Sequence, residues 1–497
     1  MSPIDSLLEH GAEGDAAITV PDGPTISYGQ LREMVQQASR RLASFGVRPQ
    51  DRIALVFPNG PEAIVLFLAA SRIATACPMN PAYKESEFRF YLEDTGAKFL
   101  VTAREDGEVA KRSLPEGSIV IEAEINAAGE LSLESSGSTG AVSSVQEADG
   151  DAIAMVLHTS GTTSRPKRVP LRHRQIAASV DNIVRHYQLG REDVSLCVMP
   201  LFHVHGLVAS ALATLASGGT LSVPRRFTPM GFWPAARQLR PTWFTASPTP
   251  HQLILMRSEE NRAAGTERLR FVRSCSAALS PDLLARMEER FGVPVLEAYG
   301  MTEASHQMAS NPLPPDRRIP GSVGRGTGVE ITILDEAGGQ LGNGVAGEVA
   351  IRGANVIDGY ENNPEANAAS FTNGWFRTGD QGTLDDAGYL RLLGRIKELI
   401  NRGGEKIAPR EIDEVLESHP AVKEAVAFGV PHPTWGEEVA AAIVLNEPVP
   451  EKDLIAFCRS RMADFKVPKK MHIVEAIPRT PTGKVQRRFV AEQLNAK

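Results

Sequence analysis

The stretch Val156–His173, VLHTSGTTSRPKRVPLRH, sets six small Ser, Thr and Gly residues in a row and follows them with Arg165, Lys167 and Arg168. Hydroxyls, close-set backbone N–H groups and cations in one short loop suit an anion, phosphate above all. The preceding DAIAMVLHT reads as a buried strand. After the loop, Ile176, Val180, Ile183, Val184 and Tyr187 recur at helical spacing. The pattern predicts a strand–loop–helix unit whose helix N-terminus also faces the anion. Counting from Gly161, Pro166 stands where the second glycine of GxxxxGK[ST] belongs, so this is not the P-loop of nucleoside triphosphatases.

The chain around this loop has 497 residues, too many for one core, so at least two domains are expected. A net charge of −7 argues against nucleic acid and anionic membrane as partners and points the basic clusters at a small anion. Cys77, Cys197, Cys275 and Cys458 are scattered in apolar contexts with no CxxC pairing, as in a reducing compartment. The N-terminus has no basic-then-apolar leader, and AIVLFLAASRIATACP (63–78) is broken by Arg72 and too short to span a bilayer. The terminal QLNAK is not a peroxisomal address, so a cytoplasmic protein is expected. Monomer and homodimer both stay open.

Periodicity places a helix over 28–46, a strand at DRIALVFP and a buried helix at GPEAIVLFLAASRI, and the alternation continues. That predicts an α/β fold: a large, multi-sheet N-terminal domain over 1–396 with much parallel pairing. Residues 127–151, rich in Gly, Ser and Glu, read as a surface loop. From 397 to 497 the texture becomes a small α+β domain: a helix at Glu411–Ser418, strands at VKEAVAFGV and EVAAAIVL, a helix at Asp453–Met462, a strand at MHIVEA and a basic tail.

Four further stretches carry matching chemistry. YGMTEA (299–304) joins an aromatic ring, a hydroxyl and a carboxylate, suited to adenine, phosphate and Mg²⁺. GWFRTGD ends at Asp380, a carboxylate for ribose hydroxyls. LGRIKELINRGGEKI offers Arg395 and the Gly403–Gly404 pair, and RTPTGKVQRR presents Lys484 on a Thr/Gly loop.

In this order the five motifs resemble the adenylate-forming superfamily of acyl-CoA synthetases, adenylation domains and luciferases, over nearly the whole chain. The resemblance implies ATP, Mg²⁺ and CoA as reactants and cofactor, a small carboxylic acid as substrate, and a C-terminal domain that moves about Lys397. It assigns Ser160, Gly161, Thr162, Thr163 and Lys167 to the β- and γ-phosphates. Tyr299, Ser276, Ala277 and Glu297 go to the rest of the nucleotide, with Asp380 and Arg395 at the ribose. Thr302 is placed at the α-phosphate, Glu303 at magnesium, and His203 beside the acyl pocket. Lys484 bridges carboxylate and α-phosphate, and Gly403 and Gly404 approach CoA.

Fatty and aryl acids need apolar pocket walls. The corresponding segments here offer His205, His251, Ser274, Ser276 and His306. Of these, His205, Ser276 and His306 are the expected substrate donors. The stretches HTSGTTSRPK, PLFHVHGL, RSCSA, MTEASHQMASNPLP and LINRGGEKI look most like the branch of the superfamily that joins oxalate to CoA, with malonate and other small acids behind it. Loading of a carrier-protein thiol and adenylate binding without turnover are the rival readings. Two departures stand out: Ser164 and Arg168 occupy positions where the family usually has glycine. Arg168 is expected either to face water or to hamper the phosphate loop.

Overall fold

A computed structural model describes residues 4–137, 145–159, 166–257, 265–479 and 485–495. The chain divides into two compact units, residues 1–330 with 351–376, and residues 331–350 with 377–497. Lys397 lies inside the second unit.

The first unit holds two large sheets. One has nine strands, in the order Arg325–Gly326, His306–Ser310, Val295–Met301, Phe271–Ser274, Trp243–Ala246, Val194–Cys197, Thr220–Ser222, Ala16–Thr19 and Thr25–Ser27. Its centre is parallel and its margins antiparallel. Alternation along these strands separates two cores. Leu196, Phe244, Val272 and Val295 pack one face against Phe232, Trp233 and Met287. Trp243, Phe271 and Leu296 pack the other against Ile183, Tyr187 and Ala209. Burying both faces is why these strands read as nearly continuous apolar runs.

The second sheet has seven strands, in the order Leu131–Ser135, Ile119–Ile125, Phe99–Ala103, Arg52–Val56, Thr75–Met79, Ile153–Thr159 and Lys167–Arg172. The expected helices border the sheets. Tyr28–Ser44 starts on a capping box between Ser27 and Gln30 and buries Leu31, Val35, Ala38 and Leu42.

Two expectations fail here. The Ser/Thr/Gly loop does not lead from strand to helix. Lys167–Arg172 is itself a strand, antiparallel to Ile153–Thr159, and the helix begins only at His173. Val169 and Leu171 are buried on alternate positions, a strand period hidden between flanking cations. The two described strands pair with each other, and the helix N-terminus is separated from Thr159 by the whole second strand. Residues 127–151 are likewise not simply loop. Leu131–Ser135 pairs with Ile119–Ile125, after a turn in which Asn126 Oδ1 accepts from the backbone of Ala128 and Glu130.

The second unit contains a five-stranded sheet built on the hairpin of Val422–His432 and Gly436–Leu445, with the helices Pro409–Glu417 and Glu451–Arg459. One cation of its basic tail is taken into an ion-pair network. Residues Arg487–Asn495 form a helix, and Arg487 pairs with Asp413 at 2.6 Å and with Glu398 at 3.3 Å. Among the described residues no helix is long and apolar enough to cross a membrane.

His173 opens the helix that follows the hairpin. It is buried and its Nε2–H donates to the Ser71 carbonyl at 2.9 Å. Burial pulls its pKa down to about 4. The unfolded chain, with an ordinary imidazole near pH 6.5, therefore takes up a proton that the fold refuses. This contribution to stability is complete above about pH 6.5 and is lost as pH falls towards 4. We expect His173 alone to cost about 2 kcal/mol between pH 7 and pH 5, and His173→Gln to flatten that limb in urea titrations at the two pH values.

Candidate active site

In the first unit the site is assembled at the carboxyl ends of the parallel strands, where open α/β sheets bind ligands. Thr245 and Arg273 are register partners on adjacent strands, so their side chains share a face. Two turns of π-helix, His205–Leu212, cross that face. Such helices are rare and concentrate at functional sites. Gly206 is required there, since a Cβ would stand 2.2 Å from the Pro200 carbonyl oxygen. The helix start delivers His205 to Thr245 and Ser276.

The geometry around Arg273 is the centre of the site. Its guanidinium is fully buried. Nε donates to the Tyr187 hydroxyl at 2.9 Å, and Nη1 to Thr245 Oγ1 at 2.9 Å and His205 Nε2 at 3.3 Å. Nη2 donates to His306 Nε2 at 2.9 Å and Gln307 Oε1 at 3.0 Å. All five acceptors are uncharged, and among the described residues no carboxylate lies within ion-pair distance. His205 Nδ1 meets Ser276 Oγ at 2.9 Å, and the His205 and His306 rings stack with centroids 5.0 Å apart. Burial, and then the neighbouring positive charge, hold both imidazoles well below the ordinary histidine range. Three non-glycine residues here have left-handed backbones: Ser276 (φ +72), Ser305 (φ +49) and His306 (φ +112). Each costs roughly 1–3 kcal/mol, the kind of strain that clusters at working sites. Asn355 holds the last two in place, accepting at its carbonyl from Ser305 Oγ and donating its amide to the carbonyls of Ala304 and Gln307.

The structure thus brings together His205, Ser276 and His306. His251 and Ser274 belong elsewhere: both are fully buried, and His251 Nε2–H donates to the Arg273 carbonyl at 3.1 Å. They support the strand and are removed from the polar set. His203 is half-buried against Phe202, two residues before His205.

A second group forms around Glu303. Its Oε1 accepts from the Tyr360 hydroxyl at 2.9 Å, and Lys167 Nζ lies 4.3 Å from the centroid of the Tyr360 ring. Tyr299 and Glu303 are buried, and Thr302 is half-buried. Ser276 and Ala277 are exposed in the turn after their strand, and Glu297 Oε1 accepts from the backbone of Leu279 in that turn. Tyr360 is an addition that sequence spacing did not offer, because it lies 57 residues from Glu303 in a segment without its own motif. Arg273 did carry a signal: a cation inside the apolar strand FVRS.

In the second unit Asp380 and Arg395 face each other across a hairpin, with Nε to Oδ1 at 2.7 Å. Lys397 is exposed on a single 3₁₀ turn. Gly403 and Gly404 form the turn between two short strands, both with positive φ. A Cβ on Gly403 would meet the Trp435 ring at 2.8 Å. Ser160, Gly161, Thr162, Thr163 and Ser164 lie outside the described residues, as does Lys484.

Arg168 is half-buried rather than turned to water, and the expectation that it hampers the phosphate loop concerns residues outside the described set. Adjacent strand residues point to opposite faces, so Lys167 turns towards Tyr360 and Arg168 turns away. There it lies 3.6 Å from Asp94 and 3.3 Å from Glu361. His158, its cross-strand partner, also holds Asp94 at 2.9 Å, and Arg52 pairs with Glu361.

The family model for AMP-binding enzymes matches residues 9–361, and that for the AMP-binding enzyme C-terminal domain matches residues 411–484. The chain is 47% identical to an oxalate–CoA ligase of Arabidopsis thaliana, over 98% of each chain. It is 42% identical to an oxalate–CoA ligase of Saccharomyces cerevisiae, over 96% of this chain and 94% of that one. Its fold matches ATP-bound MatB from Rhodopseudomonas palustris with a TM-score of 0.89, at 30% identity and 99% coverage of both.

The Arg168 network carries a prediction. Arg168→Gly removes the cation shared by the partly buried Asp94 and Glu361 and leaves each with one partner, so we expect it to lower stability by roughly 1 kcal/mol without lowering the Michaelis constant for ATP. Denaturant midpoints and ATP kinetics check this. A variant with wild-type stability and improved ATP use would contradict it.

Proposed function

The chain belongs to the AMP-binding enzyme family, and from that premise we propose that it joins oxalate to CoA at the expense of ATP, giving oxalyl-CoA, AMP and diphosphate. It is an ATP-dependent acid–CoA ligase; the choice of oxalate rests on one observation. The acid-side residues His205, Ser276 and His306 form a hydrogen-bonded polar cluster backed by a buried guanidinium, where a fatty or aryl acid needs apolar walls. A second carboxylate satisfies the donors this cluster leaves free. An apolar tail leaves them unmet, at roughly 1–3 kcal/mol each.

The reaction runs in two steps. One carboxylate oxygen attacks the α-phosphorus of ATP and diphosphate leaves. The CoA thiol then attacks the acyl carbon of the adenylate, and AMP leaves. The attacking and attacked groups are both anionic, so the first step needs positive charge where negative charge develops. In this reading Lys484 and Lys167 supply it from the chain, and Thr302 adds a hydroxyl at the α-phosphate. Asp380 takes the ribose hydroxyls when Arg395, its present partner, shares it. Gly403 and Gly404 let the backbone come close to CoA once the C-terminal domain turns about Lys397. Glu303 fits Mg²⁺ as a single carboxylate ligand. Mg²⁺ in nucleotide sites is held mostly by phosphates and water, so one carboxylate is enough. Mg²⁺ bound there neutralises phosphate charge. The four free, buried cysteines accord with a cytoplasmic setting.

The test is thioester formation with oxalate, malonate, acetate, hexanoate and a cinnamate side by side. We expect oxalate to lead. His205→Ala or His306→Ala should lower kcat/KM for oxalate ten- to a hundred-fold, about 1.5–3 kcal/mol, while sparing the KM for ATP. A preference for hexanoate or cinnamate would sink the polar-pocket argument, and a preference for acetate would remove the second carboxylate.

A further inference from the structure

Arg273 has no place in the nucleotide or acid contacts above, yet it is the most heavily engaged side chain of the site. An arginine has five N–H donors and no acceptor, so every atom facing it must accept. This fixes proton positions that coordinates alone leave open. His306 Nε2, 2.9 Å from Nη2, is bare, and its proton is on Nδ1. His205 Nε2, reached by Nη1 at 3.3 Å and by Thr245 Oγ1 at 2.7 Å, is bare too. With Nε2 bare, its 2.7 Å contact with Thr245 Oγ1 is a hydrogen bond only if the hydroxyl donates, while the same oxygen accepts from Nη1. His205 therefore donates from Nδ1, and Ser276 Oγ, 2.9 Å away, accepts. The Ser276 hydroxyl proton is left to point elsewhere, on a residue that is exposed while His205 is only 3% and Arg273 0% exposed.

We propose that Arg273 is a positioning residue that sets the donor polarity of the acid pocket. It holds His205 and His306 as Nδ1–H tautomers and, through His205, frees the Ser276 hydroxyl to donate to an anionic carboxylate. The proposal rests on the small-diacid reading above and adds the source of its charge complementarity. Polarisation along a hydrogen-bond chain strengthens each link, so the guanidinium's charge is felt at a hydroxyl it does not touch. The titratable groups facing the two imidazoles and the guanidinium are His203, His251, Tyr187 and Cys275, none of them a carboxylate. An imidazolium at either position would set two cations against each other in a space without water. The pocket thus meets a dianion with uncharged donors and one fixed charge behind them, a state independent of pH near neutrality.

The test uses the full chain with ¹⁵N-labelled histidine. His205 and His306 are identified by the signals lost in His205→Asn and His306→Asn. Both should show the Nδ1-protonated, Nε2-bare pattern, unchanged from pH 6 to pH 8. In Arg273→Met, that pattern should give way to the other tautomer. The KM for oxalate should rise ten-fold or more, with the KM for ATP within two-fold. Arg273→Lys, which keeps the charge without the fork, should recover part of the oxalate KM but not the tautomer pattern. An Nε2–H or charged ring at either position in the wild type overturns the proposal. So does an unchanged oxalate KM in folded Arg273→Met, or an equal rise in both Michaelis constants. If the wild type turns over no oxalate, the functional reading fails, while the tautomer pattern still decides the relay.

Discussion

A guanidinium removed from water without a carboxylate to meet it constrains the whole acid side of this protein. Burying an unpaired charge is tolerated only when every donor finds a partner. Arg273 meets that condition through five uncharged acceptors drawn from four separate segments: Tyr187, Thr245, His205, and His306 with Gln307. The parallel register sets Thr245 beside it, the π-helix brings His205 across the sheet, and the strained Ser305–His306 backbone turns the second imidazole towards it. Moving any one of these leaves a donor unsatisfied. The same requirement that stabilises the cluster therefore fixes the shape and polarity of the pocket.

The residues proposed for the nucleotide are each held within their own unit. Glu303, Tyr360 and Lys167 are held together in the first, and Asp380 with Arg395 in the second. Register fixes the Asp380–Arg395 pair, since both sit directly opposite on one hairpin. Arg168 shows how a departure from family habit is absorbed. Strand alternation sends its side chain to the face opposite Lys167, where Asp94, Glu361 and their own partners take it up.

Much of this was legible in the chain. Apolar runs marked the parallel strands, and helical periodicity marked the first long helix. The clustering of His205, Ser276 and His306 followed from the segments that carry them. What the sequence hid was hidden for physical reasons. Lys167–Arg172 is a strand with cations at both ends and a proline within, so its period of two is visible only at Val169 and Leu171. His251 and Ser274 look like pocket residues by type, and only burial separates them from the donors. Arg487 reads as a tail cation until its pairing with Asp413 and Glu398 is known. Partners far apart in sequence, such as Glu303 with Tyr360, leave no local trace.

A pocket built for a second carboxylate must select it before any thiol is involved. ATP–diphosphate exchange without CoA isolates that step. Exchange driven by oxalate should be at least ten-fold faster than by acetate at equal concentration, with the advantage abolished in His306→Ala. Exchange equally fast with acetate, or an oxalate advantage that survives the loss of His306, would contradict it.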